Sequence, residues 1–209
     1  MLKEPIINHL FPTPIYMTNI DREFTKKELN FVKDQKNHCT KNEGNINTID
    51  TYILNRPEFK KIKKFLEDCC QDYLEKLICP KNDIKLCLTQ SWLNYTEEKQ
   101  YHHKHEHTNS VVSGVLWLNS DKKNDNIKFF DNKGYQRLSP EIDKTKFNLW
   151  NSRSWWFAVE TGQVALFPSS TTHQVETKKG SNTRVSLSFN TFYKGSAVGS
   201  NKDLTELIL

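Results

Sequence analysis

No stretch of this 209-residue chain stays apolar for the roughly 18 to 20 residues that a membrane-spanning helix needs. Its opening, MLKEPIINHLFPTPIYMTNI, carries no signal-type apolar segment. Neither a membrane role nor export is expected, and the cytoplasm is the expected compartment. Cysteine is scarce and unpatterned: the five residues Cys39, Cys69, Cys70, Cys79 and Cys87 are odd in number, two are adjacent, and none forms a CxxC pair. A disulfide framework, a zinc ribbon or a dithiol redox motif is therefore not indicated, and the thiols read as reduced. Charge of one sign is not in excess either. Thirty basic against 25 acidic residues leave +5, spread along the chain, so no nucleic-acid partner is indicated. There is no internal repeat and no low-complexity linker, and the length suits a single domain over residues 1–209 with a sizeable core.

Two patterns divide what is present. Toward the N-terminus, DREFTKKELNFVKDQK sets Phe24, Phe31 and Val32 among charges at helical spacing, with Asp21 placed to cap the helix. HCTKNEGNINTIDTYILN is polar and turn-rich and reads as a loop. From Pro57 to Leu77, one face collects Phe59, Ile62, Phe65, Leu66, Cys69, Tyr73 and Leu77, which predicts a second helix stopped by Pro80. Beyond Pro80 the period falls to two: IKLCLTQSWLNY, SVVSGVLWL, NIKFFD, KFNLWN, SWWFAV, QVALFP and TRVSLSFNTFY are short, rich in aromatic or β-branched residues and separated by polar turns. Seven or eight such strands predict a mainly β, α+β domain, a sandwich or barrel, with the helices packed outside one sheet. The expected division is N-terminal support over 1–80, a β core over 81–195 and a tail over 196–209.

The densest chemistry is YHHKHEHTNS, with four of the seven histidines in six positions. On an extended segment His103, His105 and His107 alternate onto one face and His102 falls on the other. Neutral imidazole suits first-row metals, and three facial protein ligands leave positions open for substrate. By itself the cluster reads equally well as a solvent loop that binds nothing. Sixty-six residues on from His107, a strand ends at LFPSS, a lone His173 follows, and Arg184 opens a strand on which Ser186, Ser188 and Asn190 share its face. If that face lines a barrel, a guanidinium inside it is costly unless a carboxylate pairs with it. If not, Arg184 is an ordinary polar residue on an exposed edge.

Taken in order, HEHTNSVVSGVLWLN, GQVALFPSSTTHQV and RVSLSFN, with HLFPTPIY and QSWLNY before them, resemble the 2-oxoglutarate- and Fe(II)-dependent oxygenases of bacteria and tailed phages, relatives of the prolyl hydroxylases. The resemblance spans most of the chain and is tightest from Gln90 to Phe192. It implies a double-stranded β-helix, or jelly roll, with a metal at one mouth. Carried over by position, it implies His105, His107 and His173 as metal ligands, Arg184 and Ser188 as the grip on the far carboxylate of 2-oxoglutarate, and Tyr95 and Trp117 as aromatic residues along that co-substrate. Fe(II), 2-oxoglutarate and O2 are the implied cofactors, and a small molecule or peptide, with peptidyl proline foremost, the implied substrate. A homodimer is compatible with it. The prolyl hydroxylases place an aspartate where this chain has His107, and Asp131 is a candidate to supply a carboxylate instead if the fold brings it close. Tyr135, Arg137, Trp150, Trp155 and Trp156 form a candidate substrate surface between the two motifs, or simply complete the packing. Three other readings stay open: a three-histidine, cupin-like dioxygenase that ignores 2-oxoglutarate, a metal-binding barrel without catalysis, and a degenerate jelly roll with no metal at all.

Overall fold

A computed structural model describes residues 3–131 and 141–195. Eleven strands and two α-helices run in the order β1 Tyr16–Asn19, α1 Lys26–Gln35, β2 Cys39–Lys41, β3 Ile46–Thr48, α2 Lys60–Tyr73, β4 Ile84–Thr96, β5 His102–His105, β6 Val112–Asn119, β7 Asn126–Phe130, β8 Ser154–Ala158, β9 Gln163–Pro168, β10 His173–Val175 and β11 Arg184–Gly195. A seven-stranded sheet has the order β1-β9-β6-β11-β4-β3-β2 and a four-stranded sheet the order β5-β10-β7-β8. Every ladder is antiparallel, and the chain passes repeatedly from one sheet to the other, the arrangement of a jelly roll.

Alternation along β11 decides which residues see which layer. Val185, Leu187 and Phe189 face outward from the barrel and join Leu93, Leu116, Val164 and Leu166 with Ile62, Leu66 and Cys70 of α2 in the larger core. The opposite face looks across at the small sheet, where Val115, Trp117, Ala165 and Phe167 meet Ile127, Phe129 and Val159 in a second core. Arg184, Ser186, Ser188 and Asn190 belong to this inner face.

Several local expectations give way to stronger physics. The first helix is capped by Thr25, not Asp21: Thr25 Oγ1 accepts from the Glu28 N–H while the Glu28 carboxylate takes the Thr25 N–H, a reciprocal capping box, whereas Asp21 sits in the left-handed region at φ +49°. The polar stretch expected to be a loop contains the β2–β3 hairpin, which extends the large sheet by pairing β3 with β4. Gly44 makes that turn possible at φ +87°, and a Cβ there would lie 2.7 Å from the Tyr101 carbonyl oxygen. The second helix starts later and ends earlier than its apolar stripe suggests. A 3-10 turn over Pro57–Phe59 precedes it, and a π turn over Leu74–Ile78 carries it to Cys79 at φ +50°. KFNLWN is not a strand, because Asn148 Oδ1 accepts the backbone N–H groups of Trp150 and Asn151 and folds the segment back on itself.

The Ser113–Gly114 pair has a clear division of labour. Ser113 faces the inner layer, and Gly114 lies under Phe189 and Leu166, where a Cβ would sit 2.2 Å from the phenylalanine ring and 2.6 Å from the leucine methyl. Gly114→Ala should therefore cost about 1–3 kcal/mol through overpacking. The expected result is a lower urea midpoint with an unchanged slope; an unchanged midpoint would mean that β6 and β11 are less tightly packed than this.

Candidate metal centre

The site forms where the edge of the small sheet meets the mouth of the barrel. In the β5–β10 ladder His173 pairs with His105 and Val175 with His102, so three residue steps on β5 oppose two on β10. This is a β-bulge, and it turns His102 onto the same side as His105. Their rings lie 4.7 Å apart, which corrects the expectation that His102 faces away. His107 follows the strand, held by its N–H to the Ser169 carbonyl at 3.0 Å.

The rings of His105 and His173 are 4.4 Å apart, those of His105 and His107 4.9 Å, and those of His107 and His173 5.3 Å. One ligating nitrogen from each lies within 4.8 Å of the others. The tautomers favour this triad. His105 Nδ1 donates to the His103 carbonyl at 2.8 Å and His173 Nδ1 to the Thr171 carbonyl at 3.0 Å, and a carbonyl can only accept. Both rings therefore keep a lone pair on Nε2, oriented by a backbone bond on the far nitrogen, the usual support of a metal-ligating histidine.

A second grouping, His102, His103 and His105, is also close enough in space. It is the weaker metal site, because His102 Nδ1 already accepts from the Asn45 amide at 3.3 Å. Burial and the neighbouring imidazoles push His107 down to about 4, His173 to about 3 and His102 to about 2, and burial lowers His105 as well. The triad is neutral at physiological pH. Phe167, 4.7 Å from His173, and Phe129, at 6.3 Å, wall the site on the inner side, and Trp92 lies 5.9 Å from His107.

Arg184 is 3 % exposed and lies inside the barrel, not on an edge. Its Nη1 donates to Asp125 Oδ1 at 3.1 Å, and its Nη2 is buried with no partner. Burial draws the pKa of the guanidinium down and Asp125 opposes the shift. Ser186 and Ser188 continue the same face from Arg184 toward Trp92, which pairs with Ser188 across the ladder. Asn94 donates to Ser188 Oγ at 3.0 Å while its own Oδ1 is buried without a partner. Turning that amide over lets Ser188 donate instead and presents an N–H to the barrel interior.

Trp117 lies on this inner face beside Ser186, packed in the second core. Tyr95 does not reach it. The residue sits one step out of phase with Arg184's partner Thr96, so it points to the helical layer, where its hydroxyl donates to the Val32 carbonyl at 2.5 Å. The expectation of a co-substrate contact from Tyr95 is corrected on that ground. Asp131 is exposed just past β7 and joins no cluster of ligating atoms among the described residues. Trp150 and Trp156 are 58 % and 56 % exposed, and Tyr135 and Arg137 fall outside the described residues. Sequence reasoning missed Asp125, Lys178, Asn94 and the inward turn of His102. A cavity of about 670 Å³ opens beside His102 and His103, lined also by Tyr101, Asn124, Gln174 and Lys179, but it takes in none of the triad. Among the described residues no helix is long and apolar enough to cross a membrane.

Residues 90–190 match the model of the family described as "Putative 2OG-Fe(II) oxygenase". Comparison with curated protein sequences returns no match. Among solved structures, a 2OG-Fe(II) oxygenase-family oxidoreductase from Burkholderia pseudomallei superposes with a TM-score of 0.56 at 14% identity, covering 85% of this chain and 83% of that one. HygX from Streptomyces hygroscopicus, with nickel, 2-oxoglutarate and hygromycin B bound, gives 0.58 at 10% identity over 88% and 84%. A prolyl hydroxylase from Trichoplax adhaerens, in complex with a hypoxia-inducible factor peptide, gives 0.56 at 12% identity over 85% and 83%. At these identities the superpositions speak for the jelly-roll fold, and the match over residues 90–190, just under half of the chain, makes that segment similar to the 2OG-Fe(II) oxygenases.

Proposed function

We propose that the chain hydroxylates a C–H bond of a peptide or small-molecule substrate, with His105, His107 and His173 holding the iron and Arg184 and Ser188 holding the far carboxylate of 2-oxoglutarate. The single observation that carries this reading is the unpartnered, buried Nη2 of Arg184 on the same inner face that leads to the triad. A guanidinium nitrogen kept dry without an acceptor is costly, and a carboxylate reaching it removes the cost. Bound iron and 2-oxoglutarate supply the oxidising chemistry with dioxygen, giving succinate and carbon dioxide beside the oxidised product.

The protein's part is placement. Backbone carbonyls fix two imidazole tautomers, Phe129 and Phe167 keep water from the inner side of His173, and Ser188 and Asn94 offer hydrogen bonds along the barrel. His107 in place of a carboxylate leaves the metal with three neutral protein ligands, so the dianionic co-substrate carries the charge compensation. That substitution also gives the rival, a three-histidine dioxygenase that does not consume 2-oxoglutarate, its one point of support. Succinate release separates the two. Peptides containing proline are the first substrates to test, given the prolyl hydroxylases of similar fold.

Anaerobic addition of Fe(II) and then 2-oxoglutarate should produce a weak visible charge-transfer band. Arg184→Ala should weaken the 2-oxoglutarate dependence of that band by at least about tenfold, and an unchanged affinity would remove Arg184 from the site. His173→Ala should abolish iron retention, measured by metal content after gel filtration; full occupancy would break the ligand set.

Acidity supplies an independent check on the metal-free protein. His102, His107 and His173 are lowered in the fold from 6.5, so the unfolded chain takes up protons first. Stability is therefore full above about pH 6.5 and is lost as pH falls toward the folded values, each group adding up to about 1.4 kcal/mol per pH unit in that window. The melting temperature should drop between pH 7 and pH 5, and His173→Gln should flatten the drop. An equal slope in the variant would show that His173 is not held neutral by its surroundings.

A further inference from the structure

At the end of the barrel away from the triad, Arg184 shares a buried carboxylate with a second cation. Lys178 has a side chain with no exposure at all; its Nζ lies 3.2 and 3.4 Å from the two Asp125 oxygens, 3.0 Å from Asn182 Oδ1 and 3.4 Å from the Lys179 carbonyl. All three ammonium protons thus have acceptors. Asp125 is likewise unexposed, and its other oxygen also takes the Asp121 N–H at 2.8 Å. Glu97 and Asp121 feel Lys178 as well, but Glu97 is 41% exposed and bound to Lys36 at 2.6 Å, and Asp121 is partly exposed and accepts from Asn124.

Two buried cations and one buried anion leave a net charge of one, and the orphaned nitrogen belongs to Arg184. With Asp125 alone, Arg184 would be neutralised and would have little reason to prefer an anion. Lys178 cancels Asp125 and gives the charge back. Asp125 in turn occupies Nη1 and leaves Nη2 as the buried donor without an acceptor.

We propose that Asp125 and Lys178 are a buried positioning pair that sets this end of the barrel one unit positive and orients Arg184, and so selects a co-substrate whose tail is a carboxylate over one whose tail is neutral. The inference rests on the co-substrate role of Arg184 given above. Neither residue touches the ligand. Both act through the guanidinium.

Calorimetry on the nickel(II)-loaded protein tests it, with 2-oxoglutarate compared against 2-oxovalerate, a 2-oxo acid of the same length that ends in a methyl group. The wild type should prefer 2-oxoglutarate. Lys178→Met makes the region neutral and should cut that preference by at least about tenfold, leaving 2-oxovalerate binding unchanged. The double variant Asp125→Asn with Lys178→Met restores the net charge of one and should recover most of the preference, which a purely structural role would not. A wild type that does not distinguish the two acids overturns the assignment of Arg184 and this proposal with it. A wild type that does, with Lys178→Met unchanged or the folded double variant no better than the single, overturns this proposal alone. Should Lys178→Met not fold, Asp125→Asn carries the test: the local charge rises to two, and a loss of preference for 2-oxoglutarate refutes the pair.

Discussion

The pairing of two very short strands, β5 and β10, is the constraint on which the site depends. His173 enters the barrel only because β10 lies between β5 and β7, with Phe129 on one side and His105 on the other. The bulge in that ladder brings the His102 ring to 4.7 Å from that of His105. Without it His102 would fall on the face opposite His105, while His105 and His107, two residues apart, keep a common side by alternation.

The large sheet supplies the complementary half. Its outward face is apolar and fully committed to the helices, which leaves the inner face of β4, β6 and β11 free to be polar. Ser113 bonds to Ser169 and Asn190 near His107, Ser188 to Asn94 further in, and Arg184 to Asp125 at the far end. The barrel interior is therefore graded, from neutral imidazoles at the mouth, through hydroxyls and amides, to a cationic end. A molecule with a chelating head and an anionic tail matches that gradient in one orientation only.

Much of this was readable from residue order, and the failures share a cause. The change of period at Pro80, the division of β11 into a polar and an apolar face and the second helix follow from spacing alone, because a continuous buried face constrains every second or every third to fourth residue. The bulge at His102 could not be seen, since one extra residue in a four-residue strand leaves no mark on an alternation already made entirely of polar side chains. Tyr95 was misplaced for a related reason: it sits in a strand whose two faces are both buried, so aromatic character does not tell inner from outer. Asp125 and Lys178 are hidden in SDKKNDN and ETKKGS, charged turns of a kind that is usually solvated. Only the fold brings them together in the interior.

The β2–β3 hairpin has one more effect. It adds two three-residue strands beside the long β4, and the opposite end of the same sheet closes with the four-residue β1. A thirteen-residue strand left at the border would expose a row of unpaired amides able to recruit another molecule. At the Asn94–Tyr95 end of β4 the hairpin takes up backbone groups that an open border would offer to another molecule, and its own outer strand is three residues long and ends in Lys41.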